Sequence, residues 1–358
     1  MPILNKYLLK EITLNVLLVM LALMAMFSFF DLIQELDTLG KGHYGLTQIL
    51  LFVALSVPGH IYDVMPVAVL VGCLFSLSQL ARHSELLVLR VSGLSVFNLA
   101  MLLLKIGLLF TLLTFLVGEL ITPVSEKMAQ RLRIQATQSV IAQEFRSGLW
   151  VKDGHHFINV EEVLADTTLL NVHIYEFDSQ AKLIHMRNAK TAEFAQDYWQ
   201  LKDVSETHFG PDSNRVTRLA TAKWYSLIRP ELLNVLLVMP EKMSAWNLYA
   251  YIDHLSSNKQ KTTRYQVALW AKLIYPLACL VMVILALPFA LVPQRTTGAG
   301  AGAKIVLGIM LGVVYQILNR VFAHLGLLND WSPLFSAMLP TVLFFLAGLT
   351  MLQLAERR

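Results

Sequence analysis

The run ITLNVLLVMLALMAMFSFF, residues 12–30, carries no charged side chain. A bilayer core asks for about 20 mainly apolar helical residues, because backbone N–H and C=O groups find no water there and must pair within the helix. Similar blocks follow near 60–80, 97–122, 271–292, 304–326 and 333–355, with a long polar, strand-patterned insertion between the third and the fourth. Three spans, an aqueous insertion and three more spans predict a polytopic α-helical membrane protein with six transmembrane helices. The insertion is then carried on a single face.

Composition agrees. The chain is 56% hydrophobic and 15% charged, with a mean hydropathy of +0.56, which suits lipid rather than water. The net charge of +4 is scattered over the loops, so no nucleic-acid footprint is present. Cys73 and Cys279 both fall inside apolar spans, where thiols act as small hydrophobes rather than as a disulfide framework.

The first span follows Lys6 and Lys10 and has no small-residue cleavage pattern after it, so it reads as a retained helix rather than a signal peptide. The second block is longer than a bilayer needs: Tyr44 to Ala81 contains one formal charge, Asp63, and three potential breakers in Pro58-Gly59 and Pro66. A single long helix and a hairpin both fit its length. A hairpin would put Arg82 and Arg90 on the side of Asp31, Glu35 and Asp37, so the charge bias favours one span over 60–80 with an interfacial helix before it. Lys6, Lys10, Arg82, Arg90, Arg295, Lys304, Arg357 and Arg358 then share one side, which predicts cytoplasmic termini and an insertion outside the inner membrane.

Within the insertion, Leu170 to Phe177 alternates apolar and polar residues, and shorter runs recur at 156–160, 182–187, 191–201 and 215–226. Gly154, Asp178-Ser179, Asp197 and Gly210-Pro211-Asp212 punctuate them as turns. Many short strands between turn signals predict an all-β, jelly-roll-like or sandwich domain. Pro123 to Gln143 and Ser244 to Ser256 read as helical stalks. The expected division is 1–123 for spans one to three, 124–260 for the β domain with its stalks, and 261–358 for spans four to six.

No enzyme site emerges. Gly298 to Ala303 precedes Lys304, but a phosphate loop needs Gly-Lys-Ser/Thr after a strand, and Ala303 and Ile305 flank the lysine here. His155-His156 lacks further ligands at metal spacing and reads as an exposed strand-edge pair, so no metal set is expected. The segment 80–93 stands out instead. Leu80, Leu86, Leu87, Leu89 and Val91 alternate with Arg82, Glu85 and Arg90 before the stop Ser92-Gly93. This is a short amphipathic helix at the membrane surface, either a plain connector or a coupling helix for a cytoplasmic motor.

Arg82-His83-Ser84-Glu85-Leu86 with Ser92-Gly93, then Gly148 to Gly154, then Tyr265 through Trp270-Ala271-Lys272 to Pro276-Leu277, resemble the inner-membrane permeases of lipopolysaccharide export, the LptF/LptG family, over essentially the whole chain. The Gly148-Leu149-Trp150 segment and the short amino terminus resemble the LptG side of that pair most. The resemblance implies an ABC transporter permease subunit paired with an LptF-type paralogue. It also implies a cytoplasmic LptB-type ATPase dimer that binds all the ATP and magnesium, leaving this chain without a cofactor. A β domain docking on LptC/LptA-type periplasmic bridge proteins, and lateral gates at spans one and five, are implied as well.

By position in the matching motif, Arg82, Glu85, Leu86 and Arg90 would couple to the ATPase. A lipid with several acyl chains under a polyanionic head calls for an apolar cavity with a basic outer rim. Lys41, Arg131, Arg133 and Lys272 are the candidates, Arg133 foremost because its place in 126–133 resembles a basic family position. The chain departs from the family where span one reaches the outer surface, with Asp31, Glu35 and Asp37 in place of basic residues. Arg320 falls at a similar depth, so Asp31 or Glu35 is expected to pair with it across a gate, within the chain or between subunits. Rival classes are a mechanotransmitting subunit of another ABC system that moves no lipid, a lipid-modifying membrane enzyme, and an assembly scaffold.

Overall fold

The computed structural model describes residues 2–93, 95–137, 148–153, 156–164, 167–178, 180, 182–195, 197–210, 213–226, 239–257, 260–291 and 301–356. Arg295, Gly298 to Gly300, His155, residues 138–143 of the expected stalk, and Arg357-Arg358 lie outside them. The helices are α1 (Pro2–Leu36), α2 (Leu46–Arg82), α3 (Glu85–Val91), α4 (Val96–Leu116), α5 (Thr122–Thr137), α6 (Ala245–Ser257), α7 (Thr263–Ile274), α8 (Ala278–Leu291), α9 (Ala301–Leu328) and α10 (Pro333–Glu356). Among the described residues six stretches are long and apolar enough to cross a membrane: Leu4–Leu36, Leu46–Arg82, Val96–Thr137, Thr263–Phe289, Gly302–Leu328 and Pro333–Leu354.

The second span differs from expectation. Rather than an interfacial helix leading into a span over 60–80, α2 is one helix of 37 residues with Pro58 and Pro66 inside it, about 55 Å at 1.5 Å per residue. Proline removes a donor from the helical ladder, and polar side chains from other helices bond backbone carbonyls close to both prolines. The Tyr275 hydroxyl and Gln316 Nε2 both donate to the Asp63 carbonyl, while Thr122 Oγ1 donates to the Pro58 carbonyl at 3.2 Å. These bonds tie α2 to its neighbours beside both prolines.

Central position follows from the same helix. In α2 83% of the apolar window is buried within the chain, against 11% in α1 and 17% in α9, and α1, α5, α8 and α9 all pack on it. Small residues set the close approaches, as they do between lipid-embedded helices. A Cβ on Gly72 of α2 would stand 2.7 Å from the Val16 Cα of α1, and Cβ atoms on Gly308 and Gly312 of α9 would reach Leu74 and Val67. Buried Asn15 Nδ2 donates to Ser76 Oγ at 2.7 Å, a polar clasp in the α1–α2 seam. Span three is continuous from α4 through a π-helical turn, Val117–Ile121, into α5; Gly118 in that turn lets the Tyr62 ring lie against the backbone.

The insertion holds six described strands, β1 (Leu149–Asp153), β2 (His156–Val163), β3 (Leu169–Phe177), β4 (Leu183–Ala195), β5 (Tyr198–Phe209) and β6 (Asn214–Trp224). They pair in sequence order as an antiparallel meander, without the crossing connections of a closed jelly roll. The run expected at 191–201 is the end of β4, a turn and the start of β5. Asn171 and Asp203 hold positive φ, 48° and 53°, a conformation these residues tolerate better than most. The buried positions shift by one on either side of them: Ile158 and Val160 then Val163, Val172 and Ile174 then Leu169, Val204 then Leu201 and Trp199. One core face is thereby kept across a line where the alternation slips.

Candidate functional site

At the end of α2 the expected amphipathic helix over 80–93 is split. Leu80 to Arg82 complete α2, Ser84 turns the chain with φ 61°, and α3 begins at Glu85. Gly93, at φ 93°, follows the stop at Ser92 as read from sequence. Leu86 is 5% exposed and belongs to the membrane core cluster, so it anchors α3 inward instead of offering a docking contact. The outward apolar face is Leu87, Val88 and Val91, at 62%, 65% and 82% exposure. Arg82 and Arg90 are exposed beside it. The Tyr7 hydroxyl of α1 donates to Glu85 Oε2 at 2.9 Å, tying α1 to α3.

At the far end of α1 the acidic residues have partners other than Arg320. Asp31 Oδ2 lies 2.6 Å from His60 Nε2, whose ring stacks on Phe27 at 5.2 Å. Glu35 is buried, accepts from the Tyr44 hydroxyl at 2.9 Å and sits 3.5 Å from Arg133 Nε. Burial and Glu35 together push the Tyr44 phenol well above its ordinary pKa. Among the described residues Arg320 makes no ion pair and is exposed on α9. The pairing expected within the chain is therefore replaced by contacts to α2 and α5, which packing brings closer to the end of α1.

Arg133, expected to face lipid phosphate, is instead engaged by Glu35 and lies 5.7 Å from the Phe52 ring centroid. It clasps α5 to α1 and α2. Lys272, expected at the rim, is 4% exposed with its Nζ 4.7 Å from the Tyr62 ring centroid. Its depth follows from α7: span four starts at Thr263, earlier than the expected 271, so Lys272 falls inside the bundle. Lys41 is exposed, in the loop whose His43 N–H donates to the Ala136 carbonyl at 2.7 Å. Arg131 is half-buried on α5.

A polar knot beneath this surface had no signal in the sequence. Lys242 Nζ bonds Asp63 Oδ2 at 2.6 Å, Gln316 Nε2 donates to the Tyr275 hydroxyl at 2.6 Å, and Glu119 accepts the Ala245 N–H at 2.8 Å. The Glu119 carboxylate thereby satisfies free N–H groups at the start of α6. These bonds join spans two, three, four and five to the second stalk. Nothing in residue spacing links positions 63, 242 and 316.

Removing the Glu35 carboxylate by Glu35→Ala leaves the Tyr44 hydroxyl without its acceptor and Arg133 without its anion, and is expected to destabilise the protein by about 1–3 kcal/mol. Lys41→Ala, a fully exposed change in the adjoining loop, is expected within about 0.5 kcal/mol of wild type. Thermal unfolding in detergent measures both. Equal melting for the two variants would show that the buried carboxylate holds nothing in place.

The chain matches the model of the family described as "Lipopolysaccharide export system permease LptF/LptG" over residues 6–354. It is 31% identical to the lipopolysaccharide export system permease protein LptG of Escherichia coli K12 over 353 residues, 98% of both chains. It is 30% identical to the protein of the same name from Haemophilus influenzae over 343 residues, 95% of both. The chain belongs to the LptF/LptG family of lipopolysaccharide export permeases.

Proposed function

We propose that this chain is the permease subunit of an ABC transporter that extracts lipopolysaccharide from the inner membrane and passes it toward a periplasmic bridge. The observation that carries the reading is the full-length match, spans and β module in one order, to a family of permeases named for that export. ATP is bound and hydrolysed by a separate cytoplasmic ATPase dimer, and a paralogous LptF-type permease completes the membrane unit. Both termini face the cytoplasm and the β module faces the periplasm, where it meets LptC/LptA-type proteins. The excess of Lys and Arg on one side supports this orientation.

Exposure supports the division of labour. With α1 and α9 barely covered by their own chain, their apolar faces suit lipid and a second permease, as lateral gates require. The exposed Leu87, Val88 and Val91, with Glu85, Arg82 and Arg90 around them, suit a groove in the ATPase. Lys41 and Arg131 are the basic groups we assign to the phosphate-facing rim. The test is ATP turnover by the purified chain alone, by the ATPase alone and by the assembled complex. Lipopolysaccharide-stimulated turnover confined to the complex is expected. Turnover by the lone chain, or a complex indifferent to the lipid, would overturn the assignment.

A further inference from the structure

One row of the β sheet is polar where its neighbours on that face form a hydrophobic core. Cross-strand pairing sets His156 opposite Glu176, Glu176 opposite His185, and His185 opposite His208, with Glu206 two positions along β5. Ile158, Ile174, Val172 and Val204 lie on the same face, because they stand two or four residues away on the same strands. Glu176 Oε2 is 3.3 Å from His185 Nδ1. A carboxylate there accepts the Nδ1 proton and leaves the lone pair on Nε2.

Among the described residues that Nε2 has no hydrogen-bond partner. His185 is 6% exposed, and the nearest carboxylate oxygen, Glu206 Oε2, is 4.0 Å away. Leaving a buried nitrogen dry is unfavourable. His208 stacks on the same ring with centroids 3.9 Å apart. One donor atom from each of His185, Glu206 and His208 lies within 4.8 Å of the other two.

We propose that His185, His208 and Glu206 bind a divalent transition-metal ion of the zinc class, with Glu176 orienting His185 from behind. Two imidazole nitrogens and one carboxylate oxygen form a donor set that zinc accepts at about 2.0–2.2 Å. Reaching that distance draws the donors together by roughly an ångström, and His208, which is exposed, turns out of its stack to do so. The nearby cations have contacts of their own. Arg187 Nε holds the other oxygen of Glu206, Oε1, at 2.8 Å, and Lys223 Nζ lies over the Tyr198 ring at 4.6 Å. Arg215 stands opposite His208 on β6, and His156 lies 3.8 Å from Glu176. A cavity of about 210 Å³, bordered by His156, Glu176, Arg187, Lys223 and Tyr225, adjoins His185. Bound there, the ion would tie β4 to β5 at the open end of the core.

The test is calorimetric titration of the tag-free, full-length chain in detergent at pH 7.5 with zinc chloride after chelator treatment. One zinc per chain is expected, with affinity at least tenfold weaker in His208→Gln and Glu206→Gln and about 10–100-fold weaker in Glu176→Gln. His173→Gln is the control, since His173 bonds Asn188 at 2.7 Å on the opposite face, and it is expected to bind as wild type does. Zinc is also expected to raise the melting temperature of wild type and not of His208→Gln, whose exposed side chain is replaced without disturbing the core. Absence of stoichiometric zinc, or a His208→Gln chain that binds zinc as tightly as wild type, would overturn the site.

Discussion

Glu85→Ala is expected to cut ATP-driven lipopolysaccharide export more than tenfold while the chain still inserts and keeps its fold. Glu85 starts a seven-residue helix whose buried Leu86 seats it and whose Leu87, Val88 and Val91 face outward. If its carboxylate meets a basic group on the ATPase, the charge-assisted bond contributes about 1.5–3 kcal/mol, and each 1.4 kcal/mol is about tenfold. The contact with Tyr7 is a separate matter. Tyr7→Phe removes one exposed hydrogen bond and is expected to change export by well under the effect of Glu85→Ala, since a neutral exposed bond contributes about 0.5–1.5 kcal/mol. Export by proteoliposomes holding equal amounts of complex decides it. A Glu85→Ala complex that exports at the wild-type rate removes the coupling role.

Gly72→Leu is expected to have the largest structural effect. A Cβ at that position meets Val16 Cα at 2.7 Å and Val16 N at 2.8 Å, and backbone cannot step aside as a side-chain tip can. Overpacking of this kind costs about 1–3 kcal/mol, and more where the helix must move. To accept the leucine, α1 has to shift away from α2, which also pulls Asn15 from Ser76. A melting temperature several degrees below wild type is expected in detergent, with weaker association of the paralogous permease because α1 carries much of the exposed apolar surface. Gly302→Leu serves as the neutral comparison, since no described residue lies within 4 Å of its Cβ position. Identical melting of the two variants would mean that α1 is not held by this seam.

Much of the candidate site was legible because it is local. The end of α3 at Ser92-Gly93 depends on neighbours in sequence and was read from them, whereas its start at Glu85 was not, because the expected helix ran from 80. The division of its apolar residues into an inward Leu86 and an outward Leu87, Val88 and Val91 depends on how α2 ends. Ser84 sets that with a left-handed turn which no glycine announces. Basic residues proved harder. Arg133 and Lys272 were placed by depth along a span, yet their surroundings are made by Glu35 and Tyr62, residues about 100 and 210 positions away in the chain.

Apolar run length is a one-dimensional quantity, so the sequence by itself determined six spans, the inserted β module and the family. Period-two alternation likewise announced strands, although it could not register the slip at Asn171 and Asp203, where backbone torsion rather than residue type changes the facing. Only the tertiary structure decided that α2 passes Pro58 and Pro66 unbroken, that Glu35 belongs to Arg133 and Tyr44, and that His185 and His208 stack. Each of these involves partners from distant parts of the chain. A carbonyl beside a proline and a buried carboxylate are each satisfied by whichever donor the packing brings within about 3 Å, and linear spacing carries no record of that distance.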